Sequence, residues 1–123
     1  MTDPGENRAQ AGEATEDDLG EPFERIDVER ARELVEAGTD LVDVRETHEY
    51  AAGHIPRARL VPLNTLLTRP RDHVTGSPVV FVCAVGVRSA LACEMAAAIG
   101  LRQVYNLEGG TSAWAASGLP IER

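Results

Sequence analysis

Four consecutive apolar, β-prone residues, Val79-Val80-Phe81-Val82, stand between a polar stretch ending at Pro78 and a glycine-containing loop. A run with no polar alternation predicts a parallel strand covered on both faces, and so the centre of a sheet. Shorter runs over 41–44, 59–61 and 103–105 predict further strands. Between them the period becomes helical. Ala31, Leu34 and Val35 share one face of a surface helix predicted over 28–37, with Asp27 able to cap it and Gly38 suited to the left-handed position beyond its end. Short helices follow over 46–52, closed by Gly53, and over 64–68, capped by Asn64, while 70–78 reads as a polar connection. An alanine-rich helix with Ser89 as its cap runs to Gly100, and Thr111 caps a last helix ending at Ala116. Strands alternating with helices give a three-layer α/β domain with a mainly parallel sheet, in which ligands collect at the carboxyl ends of the strands.

Composition narrows the picture. At 123 residues there is room for one domain with a real core. The formal net charge is −8, but residues 1–25 hold eight acids and two arginines, which leaves twelve acids and ten arginines from Ile26 onward. The acidity belongs to the N-terminal stretch, and the remainder is near neutral, so no basic surplus exists for nucleic acid. Residues 1–22 contain only Leu19 as a large aliphatic after the initiator; they read as a disordered acidic tail, or as a partner-binding arm, ahead of a domain over 23–123. No apolar stretch approaches a membrane span and the N-terminus lacks the pattern of a signal peptide, which predicts a cytoplasmic protein without a membrane partner. Two cysteines, Cys83 and Cys93, and three scattered histidines offer neither a disulfide framework nor metal-ligand spacing.

The chemistry concentrates where the central strand stops. Cys83 is followed by Ala84-Val85-Gly86-Val87-Arg88-Ser89 and then the alanine-rich helix. A strand, a short loop and a helix start place the thiol before backbone N–H groups and a positive helix end, and Arg88 adds a guanidinium. Such surroundings lower a thiol's pKa and predict a nucleophile, whereas a cysteine deep in a core is inert. Cys93, inside the helix among alanines, reads as such a core residue.

The loop Cys83-Ala84-Val85-Gly86-Val87-Arg88-Ser89 resembles the Cys-x-x-Gly-x-Arg-Ser loop of single-domain rhodaneses, a family of sulfurtransferases. Two more segments in the family's order strengthen the resemblance: 41–50, Leu-Val-Asp-Val-Arg-Glu-Thr-His-Glu-Tyr, with Gly53-His54-Ile55-Pro56 and Ala58, and then 104–110, Val-Tyr-Asn-Leu-Glu-Gly-Gly, with Ala113-Trp114 and Gly118-Leu119-Pro120. Arg57 departs from the family's usual Gly, and Leu60 from its frequent Asn. The resemblance implies a rhodanese-like domain with about five strands. It also implies a thiosulfate sulfurtransferase-type enzyme in which Cys83 carries sulfane sulfur as a persulfide from thiosulfate or a persulfide donor to a thiol, cyanide or protein acceptor. No cofactor or metal is implied, and a monomer is expected.

The other candidates have competing readings. Ala84, Val85, Gly86, Val87, Arg88 and Ser89 form the substrate loop; Gly86 supplies the curvature that converging amides need. Arg88 either binds an oxyanion at the mouth or pins the loop. Ser89 is expected to cap the helix more than to act as a catalytic hydroxyl. Asp43, Arg45 and Glu49 read as a structural charge network, with Arg45 and Glu49 one turn apart. His54 reads as a hydrogen-bonded structural residue and not a base for Cys83, and Trp114 as the anchor of the last helix.

Two rivals remain. A cysteine phosphatase of the same fold resembles Cys-x5-Arg, a larger loop than the Cys-x4-Arg of Cys83 to Arg88. A non-enzymatic rhodanese module, or one that carries persulfide to a single protein partner, is the other. Whichever holds, removal of residues 1–22 should leave the melting temperature and turnover nearly unchanged, because this segment brings almost no apolar groups to a core. A melting point several degrees lower in the truncated protein would place part of it in the fold.

Overall fold

The computed structural model describes residues 21–123; residues 1–20, and with them most of the expected tail, lie outside the described residues. Five strands form one sheet: β1 (Glu24–Ile26), β2 (Asp40–Asp43), β3 (Arg59–Leu60), β4 (Val79–Val82) and β5 (Val104–Leu107). Their order is β1-β5-β4-β2-β3, and every pairing is parallel. The apolar run is indeed the central strand. Its register sets Val80 opposite Leu41 and Tyr105, and Phe81 opposite Val42 and Asn106.

Six helices complete the chain: α1 (Val28–Glu36), α2 (Thr47–Ala52), α3 (Leu63–Thr68), α4 (Pro70–His73), α5 (Val87–Ala98) and α6 (Gly110–Ala116). Because side chains alternate along β4, Val79, Phe81 and Cys83 join Leu66, Val74, Ala92 and Ala96 from α3 to α5 in one core, while Val80 and Val82 join Ala31, Val35 and Trp114 from α1 and α6 in the other. Both faces of the sheet are therefore covered, which is why β4 tolerates no polar residue.

Several elements differ from the sequence pattern for local reasons. Asn64 does not cap α3; Pro62 takes the cap position, and the Leu63 N–H is held by the Val44 carbonyl at 3.0 Å. Part of the expected polar connection winds into α4, with Pro70 at its start, where a missing N–H costs nothing. Neither Ser89 nor Thr111 is a cap. Gly86 and Gly109, both left-handed with φ of +107° and +79°, precede α5 and α6, so the two hydroxyl residues fall inside the first turns. The edge strand β1 is not signalled by its own three residues; it is held by register with Tyr105, Asn106 and Leu107 of β5.

Asp27 caps α1 as its position predicts, accepting from the Arg30 N–H at 2.9 Å, and Gly38 adopts φ +99° beyond the helix end. Arg57 keeps the left-handed turn usually given to glycine, at φ +77°, and its guanidinium donates to the Val35 carbonyl at 3.0 Å. Asp43 and Arg45 form a buried pair, with Arg45 Nε and Nη2 reaching the carboxylate at 2.9–3.1 Å and Nη2 also donating to the Gly53 carbonyl at 2.8 Å. This network fastens the end of β2 to the far end of α2. Glu49 is not part of it.

Candidate active site

From β2 the chain proceeds outward to β3 at one edge, and from β4 it proceeds to β5 on the other side. The loops after β2 and β4 therefore diverge and leave a crevice at their carboxyl ends, the usual ligand position in such sheets. Cys83 lies there, 1% exposed.

Donors surround its sulfur. The Gly86 N–H points at Sγ from 3.1 Å, the Ser89 N–H from 3.4 Å and the Ser89 hydroxyl from 3.3 Å. Gly86 permits this because its left-handed backbone folds the chain back over the cysteine. Burial is the largest single influence on Cys83 and pushes the thiol up. The Ser89 hydroxyl and the N–H groups of Ser89, Gly86 and Val85 together outweigh it and hold the thiol below its ordinary value. Cys93 lacks such donors. Its thiol donates to the Tyr105 carbonyl at 3.4 Å in the core, and burial drives its pKa far upward.

Arg88, expected beside the sulfur, turns to another partner. Its Nη1 and Nη2 donate to the two carboxylate oxygens of Glu49 at 2.8 and 3.0 Å, across the crevice from α5 to α2. Glu49 is thus the partner of Arg88 and not of Arg45, as the one-turn spacing had suggested. The Arg88 hydrogen bonds, followed by the Glu46 N–H, bring the Glu49 carboxyl down to about 2. Arg88 joins two elements at the mouth of the site.

Below the loop stands Asn106, fully buried in β5. Its amide donates to the Gly86 carbonyl at 3.2 Å and to Glu108 at 2.9 Å, and its oxygen lies 2.5 Å from the Ser89 hydroxyl. Ser89 is therefore a buried link between the sulfur and β5. A polar residue in an otherwise apolar strand was the sequence signal for Asn106, since such a group must be satisfied when buried.

The start of α6 closes the site from the other side. Thr111 N–H donates to the Cys83 carbonyl at 2.8 Å and Ser112 N–H to the Ala84 carbonyl at 3.1 Å. That approach requires Gly110: a Cβ there would lie 2.3 Å from the Cys83 oxygen and 2.5 Å from the Ala84 oxygen, at φ +60°. A shallow cleft of about 280 Å³ beside this contact is lined by Arg45, Glu49, Ala52, Ala84, Ser112 and Ile121, among others. The Thr111 hydroxyl is buried without a partner.

His54 lies apart from this chemistry. Its ring stacks on Tyr50, with centroids 3.7 Å apart, and Nδ1 is 2.9 Å from the Tyr50 carbonyl. Trp114 packs in the core while its indole N–H donates to the Pro120 carbonyl at 2.8 Å. Among the described residues no cluster of His, Cys, Asp or Glu is placed to hold a metal ion, and no helix is long and apolar enough to cross a membrane.

The rhodanese-like domain model matches residues 27–117. The chain belongs to the rhodanese-like domain family. Thiosulfate sulfurtransferase GlpE of Actinobacillus pleuropneumoniae is 36% identical over 106 residues, covering 85% of this chain and 97% of that protein. The uncharacterised YqhL of Bacillus subtilis is 40% identical over 74 residues, 60% of this chain and 59% of that one. A rhodanese-related protein from Thermoplasma volcanium has the same fold, with a TM-score of 0.73 at 29% identity over 81% of this chain and 98% of the other. These likenesses support sulfurtransferase chemistry in general terms.

The Gly110 contact yields a direct test. Gly110→Ala should cost on the order of 3 kcal/mol, because the new methyl group collides with two carbonyls in a left-handed backbone. Denaturant unfolding would read the loss, and Cys83 alkylation should slow as the loop moves away. Wild-type stability and alkylation in this variant would contradict the packing described.

Proposed function

We propose that this protein is a sulfurtransferase in which Cys83 carries sulfane sulfur as a persulfide. The observation that carries the reading is the convergence of the Gly86 and Ser89 N–H groups and the Ser89 hydroxyl on a buried thiol. A sulfur so placed is nucleophilic, and the same donors suit the terminal sulfur of a persulfide, which also bears negative charge.

In the first half-reaction the Cys83 thiolate attacks the outer sulfur of a donor. The new S–S bond forms at Sγ as the donor's own bond to that sulfur breaks, and the electron pair leaves with the donor fragment. With thiosulfate that fragment is sulfite. In the second half-reaction an acceptor thiol, cyanide or protein attacks the terminal sulfur and releases the Cys83 thiolate. The loop from Ala84 to Ser89 holds both charged states through its amides, with Asn106 supporting Ser89 and the Gly86 carbonyl from below. The domain from residue 23 onward carries this chemistry without the N-terminal segment.

Loop size weighs against phosphate as a ligand. Sγ already sits within hydrogen-bond reach of the amides that would have to move outward to surround a tetrahedral group. Retention of the cysteine, of Gly86 and of the donor set weighs against a module that only binds.

Two variants test the reading. Cys83→Ser keeps a small polar group but cannot form a persulfide, so turnover should vanish while the fold persists. Cys93→Ala removes one packed sulfur, at a cost of about 1 kcal/mol, and should leave most of the rate. After incubation with a sulfur donor, wild type should gain about 32 Da, one sulfur atom, on the peptide containing Cys83. An adduct on Cys93, or an inactive Cys93→Ala protein with intact fold, would overturn the assignment.

A further inference from the structure

The Cys83 loop and the first turns of α5 carry exposed or charged groups of two kinds, and neither suits a dianion. One kind is aliphatic. Val85 in the loop, Val87 at the first position of α5 and Leu91 one turn further on are 60%, 74% and 46% exposed, three of the four large apolar side chains left open among the described residues. The other kind is charged but already matched. Both terminal nitrogens of Arg88 are taken by the two oxygens of Glu49, so the forked edge that would grip an oxyanion is occupied from within the protein. Glu46 adds a second carboxylate to the field acting on Arg88, and the nearby Arg45 is closed onto Asp43. With the Glu49 and Glu46 carboxylates set against the single Arg88 guanidinium, the mouth offers no net positive charge.

We propose that the sulfur donor of this site is a persulfide on an aliphatic thiol rather than the thiosulfate dianion, and that Glu49 sets this preference by occupying the Arg88 guanidinium. The inference rests on Cys83 being the sulfur carrier. Cys83 thiolate attacks the terminal sulfur of R–S–SH, the S–S bond to Sγ forms, the donor's S–S bond breaks, and its electron pair leaves on R–S⁻; the proton stays on the transferred sulfur. The leaving group carries one charge on an alkyl body, which Val85, Val87 and Leu91 can cover. Thiosulfate instead arrives and departs as a dianion and needs an open cation at the mouth. The Glu49 carboxyl, brought down to about 2, stays ionised throughout the range in which the thiol ionises, so the lock on Arg88 holds there.

Wild type and Glu49→Gln should be compared for the rate of Cys83 persulfide formation with three probes: thiosulfate, the persulfide of N-acetylcysteine amide, and a purified protein bearing a cysteine persulfide. The last two separate a small-molecule source from a protein source by their relative kcat/KM. Wild type should favour the persulfides, and its thiosulfate rate should not fall as salt is raised, since no attractive field exists to screen. Removing the Glu49 charge should raise the thiosulfate-to-persulfide ratio of kcat/KM roughly tenfold or more and make the thiosulfate rate fall with salt. A wild-type preference for thiosulfate, or an unmoved ratio in a folded Glu49→Gln protein, would overturn the proposal. The salt series on wild type decides independently of that variant's folding: a steep fall of the thiosulfate rate contradicts a neutralised mouth. If no probe labels Cys83, the sulfur-carrier reading itself fails, and the donor preference with it.

Discussion

Everything around the site follows from one requirement: a sulfur removed from water must be able to hold a negative charge. Burial opposes that charge, and at Cys83 it is the largest single influence. The opposing donors are backbone N–H groups and one hydroxyl, aimed by a glycine in the left-handed region. Such donors work only if the loop that carries them cannot relax. Three supports hold it: Asn106 beneath Gly86 and Ser89, the first N–H groups of α6 on the Cys83 and Ala84 carbonyls, and the Arg88 link to α2. The loop is held because these supports come from three different elements, β5, α6 and α2.

The sheet topology supplies those elements. Placing β4 between β5 and β2 sets Asn106 on one neighbouring strand, and sends α2 away from the other with Glu49 on its first turn. The buried Asp43–Arg45 pair ties the end of β2 to the Gly53 carbonyl at the end of α2, the helix from which Glu49 reaches Arg88. Removing one member of such a pair leaves an uncompensated charge, on the order of 3–5 kcal/mol of destabilisation, which explains why a charged pair persists in so small a core.

Much of this was legible in the chain. The unbroken apolar run over Val79–Val82 marks the central strand because only a doubly covered strand tolerates such a pattern, and the cysteine at its end marks the site. What stayed hidden depends on distance in sequence. Glu49 and Arg88 are 39 residues apart, and the local spacing favours Arg45 as Glu49's partner until the β2–β4 pairing brings α5 across. Ser89 looks like a helix cap because it follows a loop; Gly86 takes the helix boundary earlier, so the hydroxyl turns inward to sulfur and Asn106. Gly110 looks like half of a turn, and only the approach of α6 to the Cys83 carbonyl shows what its missing side chain allows.

The central claim, that the loop's donors overcome burial and keep Cys83 ionised at lower pH than an ordinary thiol, is tested most directly by thiolate absorbance. The difference titration between wild type and Cys83→Ser isolates this one sulfur, since Cys93 and the tyrosines are common to both proteins. The account predicts a midpoint clearly below the ordinary cysteine value, because the Ser89, Gly86 and Val85 donors together exceed the burial penalty. A midpoint at or above that value would mean that burial wins and that the convergence on Sγ does not make a thiolate.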